Sequence, residues 1–195
     1  MKILTIVFLA AVSCLSSNAQ IQFGVKAGAN FSTLTGSDVS GAKTKVGFQG
    51  GVLVGVPLAD VLSLQPEVNY SMQGAKSSSS GVNFSLSENY LNVPVLFKYN
   101  HESGFFAETG PQIGFLLSAK VSGGGNSVDV KSDYKSTDFS WAFGLGYLVK
   151  SINAGIDARY NLGLTNIAAS GSGSTGTVKN SVIQVGIFYL FGGGK

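Results

Sequence analysis

The chain has 195 residues, of which 13 are basic and 10 are acidic, so its net charge of +3 is too small to indicate a nucleic-acid partner. Charged residues make up only 12% of the sequence, about half the usual share for a soluble globular domain, while 27 residues are glycine. This deficit of charge argues against an ordinary water-exposed surface.

Residues 1–19 have the pattern of a secretory signal peptide: a basic residue, an apolar run, and small residues before a predicted cleavage site at Gln20. A lipoprotein signal acylated at Cys14 is the alternative, but Ala11 stands where a leucine is usual. The apolar run is too short for a retained membrane anchor. We therefore expect an exported domain over residues 20–195 that lacks disulfides, because Cys14 is the only cysteine.

Beyond the predicted signal peptide, apolar and polar residues alternate with the period of a β-strand. In the first such stretch, QIQFGVKAGANFS, every second residue from Ile21 to Phe31 is apolar, and Lys26 lies among the polar ones. The same alternation predicts seven further strands, at about residues 46–56, 62–74, 88–100, 105–121, 139–149, 152–165 and 183–191.

The connections between these strands alternate in length, as they do in transmembrane barrels with short periplasmic turns and long extracellular loops. The long ones are rich in Gly, Ser, Asp and Lys and fall at about residues 34–45, 75–87, 122–137 and 166–180. In hydrocarbon, every backbone N–H and C=O must be bonded within the protein, so strands persist there only in a closed barrel. We therefore predict an all-β fold, an eight-stranded antiparallel up-and-down transmembrane β-barrel.

Three prolines fall inside predicted strands, at Pro66, Pro94 and Pro111. Proline cannot donate a hydrogen bond to the strand ladder. We therefore expect bulges or local register changes at these positions, and a bulge near Pro94 would reverse the facing of Leu96.

The polar face of the strands predicts which side chains fill the interior of the barrel. An eight-stranded barrel is just wide enough for side chains to fill its interior, where opposite charges should pair. A packed lumen is the favoured interpretation, and a narrow pore or small-solute channel gated by these charges is the alternative. The predicted luminal charge cluster consists of Lys26, Glu67, Lys98, Glu108, Lys120, Asp157 and Arg159.

Aromatic residues concentrate near both ends of the predicted strands, as the interfacial girdles of a membrane barrel require. The girdle near the short turns comprises Phe23, Tyr99, Phe105, Tyr147, Tyr189 and Phe191, and the girdle near the long loops comprises Phe31, Tyr70, Phe139 and Trp141. The final strand, VIQVGIFYLF, is similar to the carboxy-terminal recognition strand of outer-membrane barrels, which implies contact with the barrel-assembly machinery during biogenesis.

The residue inventory does not support catalysis. His101 is the only histidine and falls in a short turn, so neither a histidine-based catalytic triad nor a histidine metal cluster can be assembled. Asp129, Asp133 and Asp138 have a spacing that matches no calcium-binding loop. We therefore predict a non-enzymatic protein with no cofactor.

Six blocks in order, GVKAGANFS, LQPEVNYSMQG, YLNVPVLFKY, FAETGPQIGFLLSAK, DFSWAFGLGY and ARYNLGLTNI, resemble the PorT-like outer-membrane β-barrel family of Gram-negative bacteria. The resemblance extends over nearly all of residues 20–191. It implies a location in the cell outer membrane, surrounded by outer-membrane lipid, and some members of that family assist protein secretion. We therefore expect a structural or interaction role through the extracellular loops, with a secretion or envelope protein as a candidate partner.

Overall fold

A computed structural model describes residues 21–79, 82–170 and 176–191. The predicted signal peptide and Cys14 lie outside the described residues. No helix in the described part of the chain is long and apolar enough to cross a membrane. The strands described are β1 Gln22–Thr35, β2 Lys43–Ala59, β3 Leu62–Gln73, β4 Ala75–Ser79, β5 Val82–Asn100, β6 Phe105–Gly123, β7 Asn126–Asp129, β8 Thr137–Val149, β9 Ala154–Gly163 and β10 Lys179–Phe191.

Eight of these strands pair in a closed antiparallel ring. β1 pairs with β2 on one side and with β10 on the other, so the first strand closes on the last. Between them, β2 pairs with β3, β3 with β5, β5 with β6, β6 with β8, β8 with β9, and β9 with β10. The predicted eight-stranded barrel is therefore confirmed, and every strand of the ring has a hydrogen-bonded neighbour on both sides.

The two ends of the barrel differ in the length of their connections. Residues 60–61, 101–104 and 150–153 make short turns at one end, which we call the turn end. We call the opposite end the loop end. Its connections contain the short strands β4 and β7, which pair with β5 and β6 to extend two hairpins beyond the ring.

The predicted long loops at residues 75–87 and 122–137 are thus partly wrong, because much of their length is paired strand. Glycine geometry explains the difference. Gly74, with a φ of 120°, separates β3 from β4, and Gly124 and Gly125, with φ of 59° and 85°, form the tight turn between β6 and β7. Two consecutive positive φ values suit a tight β-hairpin, so this glycine-rich stretch turns a strand back on itself instead of forming an open loop.

The alternation of residue types becomes an alternation of faces. On β1, Val25 and Phe31 are each 40% exposed, whereas Lys26 between them is 5% exposed. The same holds on β10, where Ile187 is 64% exposed and its neighbour Phe188 is 6% exposed. The exterior of the barrel is therefore apolar, which accounts for the low charge of the sequence.

The predicted bulges at the three prolines are wrong. The strand registers are the same on both sides of Pro66, Pro94 and Pro111, so each proline keeps its place in the ladder. Losing one N–H donor costs a single hydrogen bond but does not require an extra residue, so the register is preserved. Leu96 accordingly stays on the inner face, with no exposed surface.

Candidate functional site: the packed lumen

Arg159 of β9 lies at the centre of the luminal charges. Its guanidinium donates to both carboxylate oxygens of Glu67 at 2.9 Å each, and to Oε1 of Glu108 at 2.9 Å from Nε and 2.6 Å from Nη2. Lys26 extends the network, because its Nζ lies 2.9 Å from Asp157 Oδ2 and 3.8 Å from Glu67 Oε2. None of these side chains is more than 3% exposed. Such close pairing compensates for the loss of hydration that burying charges entails.

Lys98 joins this layer through different partners. Its Nζ donates to Oε1 of Gln65 at 3.1 Å and lies 3.6 Å from the ring centroid of Phe106, a cation–π contact. Gln65 in turn donates to Glu67 at 2.7 Å, so the amide links Lys98 to the Arg159 network. The layer holds three bases, Lys26, Lys98 and Arg159, and three acids, Glu67, Glu108 and Asp157, and its charges balance.

An apolar plug lies on the turn-end side of the charges. Leu53, Phe106, Phe188 and Leu190 form a buried cluster against which Leu148 packs. The rings of the two phenylalanines meet edge to face, with centroids 5.7 Å apart. The void between plug and charges is only about 10 Å³, room for about one water molecule.

Two glycines make room for the aromatic rings of the plug. Gly146 pairs with Phe106 across the ladder, and Gly155 pairs with Phe188. A Cβ atom at Gly146 would lie 2.3 Å from Cζ of Phe106, and one at Gly155 would lie 2.4 Å from Cζ of Phe188. Each ring therefore occupies the space that a side chain on the partner strand would need.

Neutral polar side chains fill the lumen on the loop-end side of the charges. Asn30 donates to Ser71 at 2.9 Å and accepts from Gln184 at 3.1 Å, and these residues tie β1 to β3 and β10. Both polar side-chain atoms of Gln49 and of Asn161 are buried without a protein partner among the described residues. Such atoms are hydrogen-bonding sites for internal water.

A second apolar cluster, which we call the lid, closes the lumen at the loop end. Tyr90, Leu116 and Ala119 of the strands are buried there, with Val130 and Tyr134 from the β7–β8 connection packed on them. Burial, reinforced by nearby carboxylates of Glu88 and Asp133, raises the pKa of Tyr134 to about 12. The phenol therefore stays neutral and apolar contacts dominate the lid.

The lid is held to a neighbouring connection by backbone bonds. Lys135 N–H donates to the carbonyl of Ile167 at 2.7 Å, and Ala169 N–H donates to the carbonyl of Asp133 at 2.9 Å. Ile167 has no exposed surface. Apolar side chains therefore close the lumen at the loop end, and at the turn end the plug lies beside a cavity of about 320 Å³ that is also lined by Gln65 and Lys98.

Lys120 does not lie with the other six residues of the predicted luminal charge cluster. Leu116 pairs with Tyr90 and Ser118 pairs with Asn89, so Leu117 is an extra residue in β6. An extra residue reverses the facing of everything beyond it, which buries Ala119 and leaves Lys120 exposed. The prediction that Lys120 points into the barrel is wrong for this reason.

Sequence reasoning also missed luminal residues. Glu88 is fully buried, and neither of its carboxylate oxygens has a protein partner among the described residues. The sequence does not indicate its position in the lumen, because Glu88 directly follows the predicted loop at residues 75–87. Alternation alone does not predict Phe106 and Phe188 as luminal, because it assigns apolar residues to the outer face of each strand. The Phe105–Phe106 doublet breaks the alternation and is the signal that indicates an apolar residue inside.

The aromatic residues predicted for the girdles lie on the outer face of the ring. Tyr147 is half-buried because its ring packs edge to face on Phe105, with centroids 4.9 Å apart, and Trp141 donates from Nε1 to Thr109 at 2.8 Å. Their interfacial role stays a prediction. The remaining exposed members are Phe23, Phe31, Tyr70, Tyr99, Phe139, Tyr189 and Phe191.

An antiparallel ring with an apolar exterior and a paired polar interior defines a transmembrane β-barrel. The chain belongs to the family described as the outer membrane protein beta-barrel domain, whose model matches residues 16–169. Membership of this family supports a location in the outer membrane.

Two of the solved structures that are similar to the chain show the shared fold. Neisserial surface protein A superposes with a TM-score of 0.56 at 17% identity, over 86% of this chain and 96% of that one. Ail, the attachment invasion locus protein of Yersinia pestis, in complex with the heparin analogue sucrose octasulfate, has a TM-score of 0.50 at 16% identity, over 88% and 99% of the two chains. At these identities the likeness shows the fold alone. None of the curated proteins matches the chain significantly.

Proposed function

We propose that this protein is a non-enzymatic, non-conducting outer-membrane barrel whose loop end makes its specific contacts. The observation that carries the proposal is the way the lumen is filled. An ion crossing it would have to displace the plug formed by Leu53, Phe106, Phe188 and Leu190, and then break the bonds of Arg159 to two carboxylates. Both steps are costly where water cannot replace the lost contacts.

This filling favours a packed barrel over the narrow pore gated by luminal charges. A conducting pore needs a continuous path of water past its charges, and here the charges lie against the plug with a void of only about 10 Å³ between them. The charges pair with one another across strands β1, β3, β6 and β9, so their contribution is to fix the strands relative to each other.

The loop end is the part of the barrel suited to contacts with other molecules. The β4–β5 and β6–β7 hairpins extend the wall there, and the lid ties the connection before β8 to the one before β10. Loops presented by a rigid scaffold commonly carry the binding function of a protein.

Assistance to protein secretion is one form that this role takes in the PorT-like family that the sequence resembles. It predicts that a second envelope protein remains bound when the barrel is extracted in mild detergent. Repeated recovery of the barrel alone would count against this form of the role and leave the sealed barrel itself intact.

Planar-bilayer recording tests the sealed lumen. The folded protein is expected to give no steady single-channel conductance, while a general porin added to the same bilayer conducts. A reproducible conductance of the wild-type barrel that disappears in Arg159→Met would instead support the pore.

A further inference from the structure

We propose that the mouth at the loop end binds a small anionic amphiphile, meaning an apolar molecule that carries one negatively charged head group. The inference rests on the proposed binding role of the loop end. Its starting observation is a cavity of about 340 Å³ inside the mouth. The apolar part of its wall is formed by Leu34, Ala75, Phe84, Leu86, Val121 and Val178.

The strand registers place this cavity inside the wall of the mouth. Leu34 pairs with Asn180, which is buried in the lumen, and Leu86 pairs with Val121 on the inner faces of β5 and β6. Phe84 leans over Gly123, where a Cβ atom would lie 2.5 Å from its ring. The extended hairpins therefore form an apolar wall above the membrane-spanning part of the barrel.

Tyr134 separates the cavity from the lumen. It lines the cavity and is also part of the lid that packs on Tyr90 and Leu116. The cavity is therefore blind on the lumen side, and a molecule that enters it from the loop end would stop there. This geometry fits a binding pocket and does not fit the entrance of a channel.

The lining of the cavity indicates an apolar ligand. The outer face of the strands is apolar because lipid covers it, but no lipid reaches the inside of the mouth. Water in contact with these walls is unfavourable, and its displacement by an apolar group favours binding. The volume lies within the range of small-molecule sites, which are mostly apolar with a few polar groups that fix orientation.

The charges at the cavity indicate the head group. Lys76 lies at the rim of the cavity, because it pairs with Ser85 and so faces away from the wall that Ala75 and Phe84 form. It stands directly opposite Lys43 in the β2–β4 ladder, and like charges placed so are destabilising. Lys43 Nζ donates to Ser78 at 3.3 Å, and neither ammonium has an ion pair within the described part of the chain. Asp38 also lines the cavity, but it already has an interaction within the chain. A single anionic group near Lys76 would relieve the repulsion between the two lysines.

The test is a titration of the full barrel in lipid nanodiscs with octanoate, followed by the methyl NMR signals of labelled leucine and valine. Saturable shifts are expected at Leu86, Val121 and Val178. Octylammonium, with the same chain and the opposite charge, is expected to give no saturable shifts there at equal concentration.

Two pairs of matched variants separate the pocket from its surroundings. Lys76→Gln is expected to weaken octanoate binding about two- to fivefold, the effect of one exposed charge. Lys131→Gln, at an exposed position outside the cavity, is expected to leave it unchanged. Val121→Phe places an aromatic ring in the wall of the cavity and is expected to weaken binding. Val128→Phe changes its cross-strand partner, which is 61% exposed and outside the cavity lining, and is expected to have no effect.

Three results would overturn the inference: no saturable shift, equal binding of octylammonium, or shifts confined to lipid-facing methyls such as those of Val52 and Val185. Heat-modifiable migration on gels shows that each variant is folded before it is titrated. Failure of the proposed pocket is distinguishable from failure of the proposed function. Absence of octanoate binding together with absence of conductance in the planar bilayer rejects the pocket alone, whereas conductance in the planar bilayer rejects the sealed barrel alone.

Discussion

Replacing Arg159 with methionine should strongly destabilise the barrel. The guanidinium provides four hydrogen bonds to Glu67 and Glu108, whose side chains are at most 1% exposed. Without it, Glu67 keeps Gln65 and Asn69 at 2.7 Å each, but Glu108 loses the side chain that neutralises it. Removing one partner of a buried ion pair typically costs about 3–5 kcal/mol, and we expect a loss in that range.

A second substitution shows whether the loss comes from uncompensated charge. Arg159→Met leaves the layer with one more acid than base, and adding Glu108→Gln restores the balance. We expect the double variant to recover about 2 kcal/mol of the loss, the coupling expected of residues that share a network. Lys131→Met, at an exposed loop position, is the control and should change stability by less than about 0.5 kcal/mol.

Urea unfolding in lipid vesicles measures these changes, with the fluorescence of Trp141, the only tryptophan, and heat-modifiable migration as two readouts. With a denaturant slope of about 1–3 kcal/mol per molar urea, the midpoint for Arg159→Met should fall by roughly 1–5 M. A loss below about 1 kcal/mol would refute the reasoning, because it would mean that water reaches the carboxylates and the lumen is not sealed.

Gly146→Ala places a Cβ 2.3 Å from the Phe106 ring and should cost about 1–3 kcal/mol in the same unfolding assay. Gly55→Ala is the control and should cost little, because the nearest atom to its Cβ would be 3.6 Å away. Equal effects of the two substitutions would argue against a tight plug. Ile187→Arg on the outer face should cost about 2–4 kcal/mol of stability and reduce the amount of barrel found in the membrane fraction. Val128→Arg at the loop end should change neither. Equal amounts of both variants in the membrane fraction would contradict a lipid-facing β10. Because the pKa of Tyr134 is raised from 10 to about 12, the unfolded state loses this proton first, so stability should fall between pH 10 and 12. Tyr134→Phe should make that fall shallower in alkaline unfolding curves, and an unchanged curve would contradict a buried phenol.

The alternation of residue types predicts the strands and most of their facing because a strand between lipid and a polar lumen must place opposite chemistry on successive residues. Lys26 and Arg159 could be assigned to the interior in this way. The pairing of Arg159 with Glu67 and Glu108 could not, because it crosses the lumen between strands that do not pair, and it therefore depends on the order of strands around the whole ring.

Lys120 and the plug show where alternation fails. Leu117 looks like its apolar neighbours, so nothing in its type marks it as the extra residue that reverses β6. Phe106 lies inside because Gly146 stands opposite, a relationship that spans 40 positions in the chain and becomes visible only with the ladder. The prolines show the opposite error, an irregularity that was expected and is absent. The strand register is unchanged at Pro94, and the residue only lacks one hydrogen-bond donor.

Nitroxide accessibility along β10 tests most directly whether the barrel has a lipid-covered exterior and a sealed interior. Single cysteines at Val185, Ile187 and Tyr189 should carry labels that dissolved oxygen reaches and a water-soluble nickel chelate does not. An unlabelled cysteine at Gln184, which is buried in the lumen, should not react with a water-soluble maleimide. Reaction at Gln184 would show a water-filled lumen, and access of the nickel chelate to the outer positions would show that these strands do not face lipid.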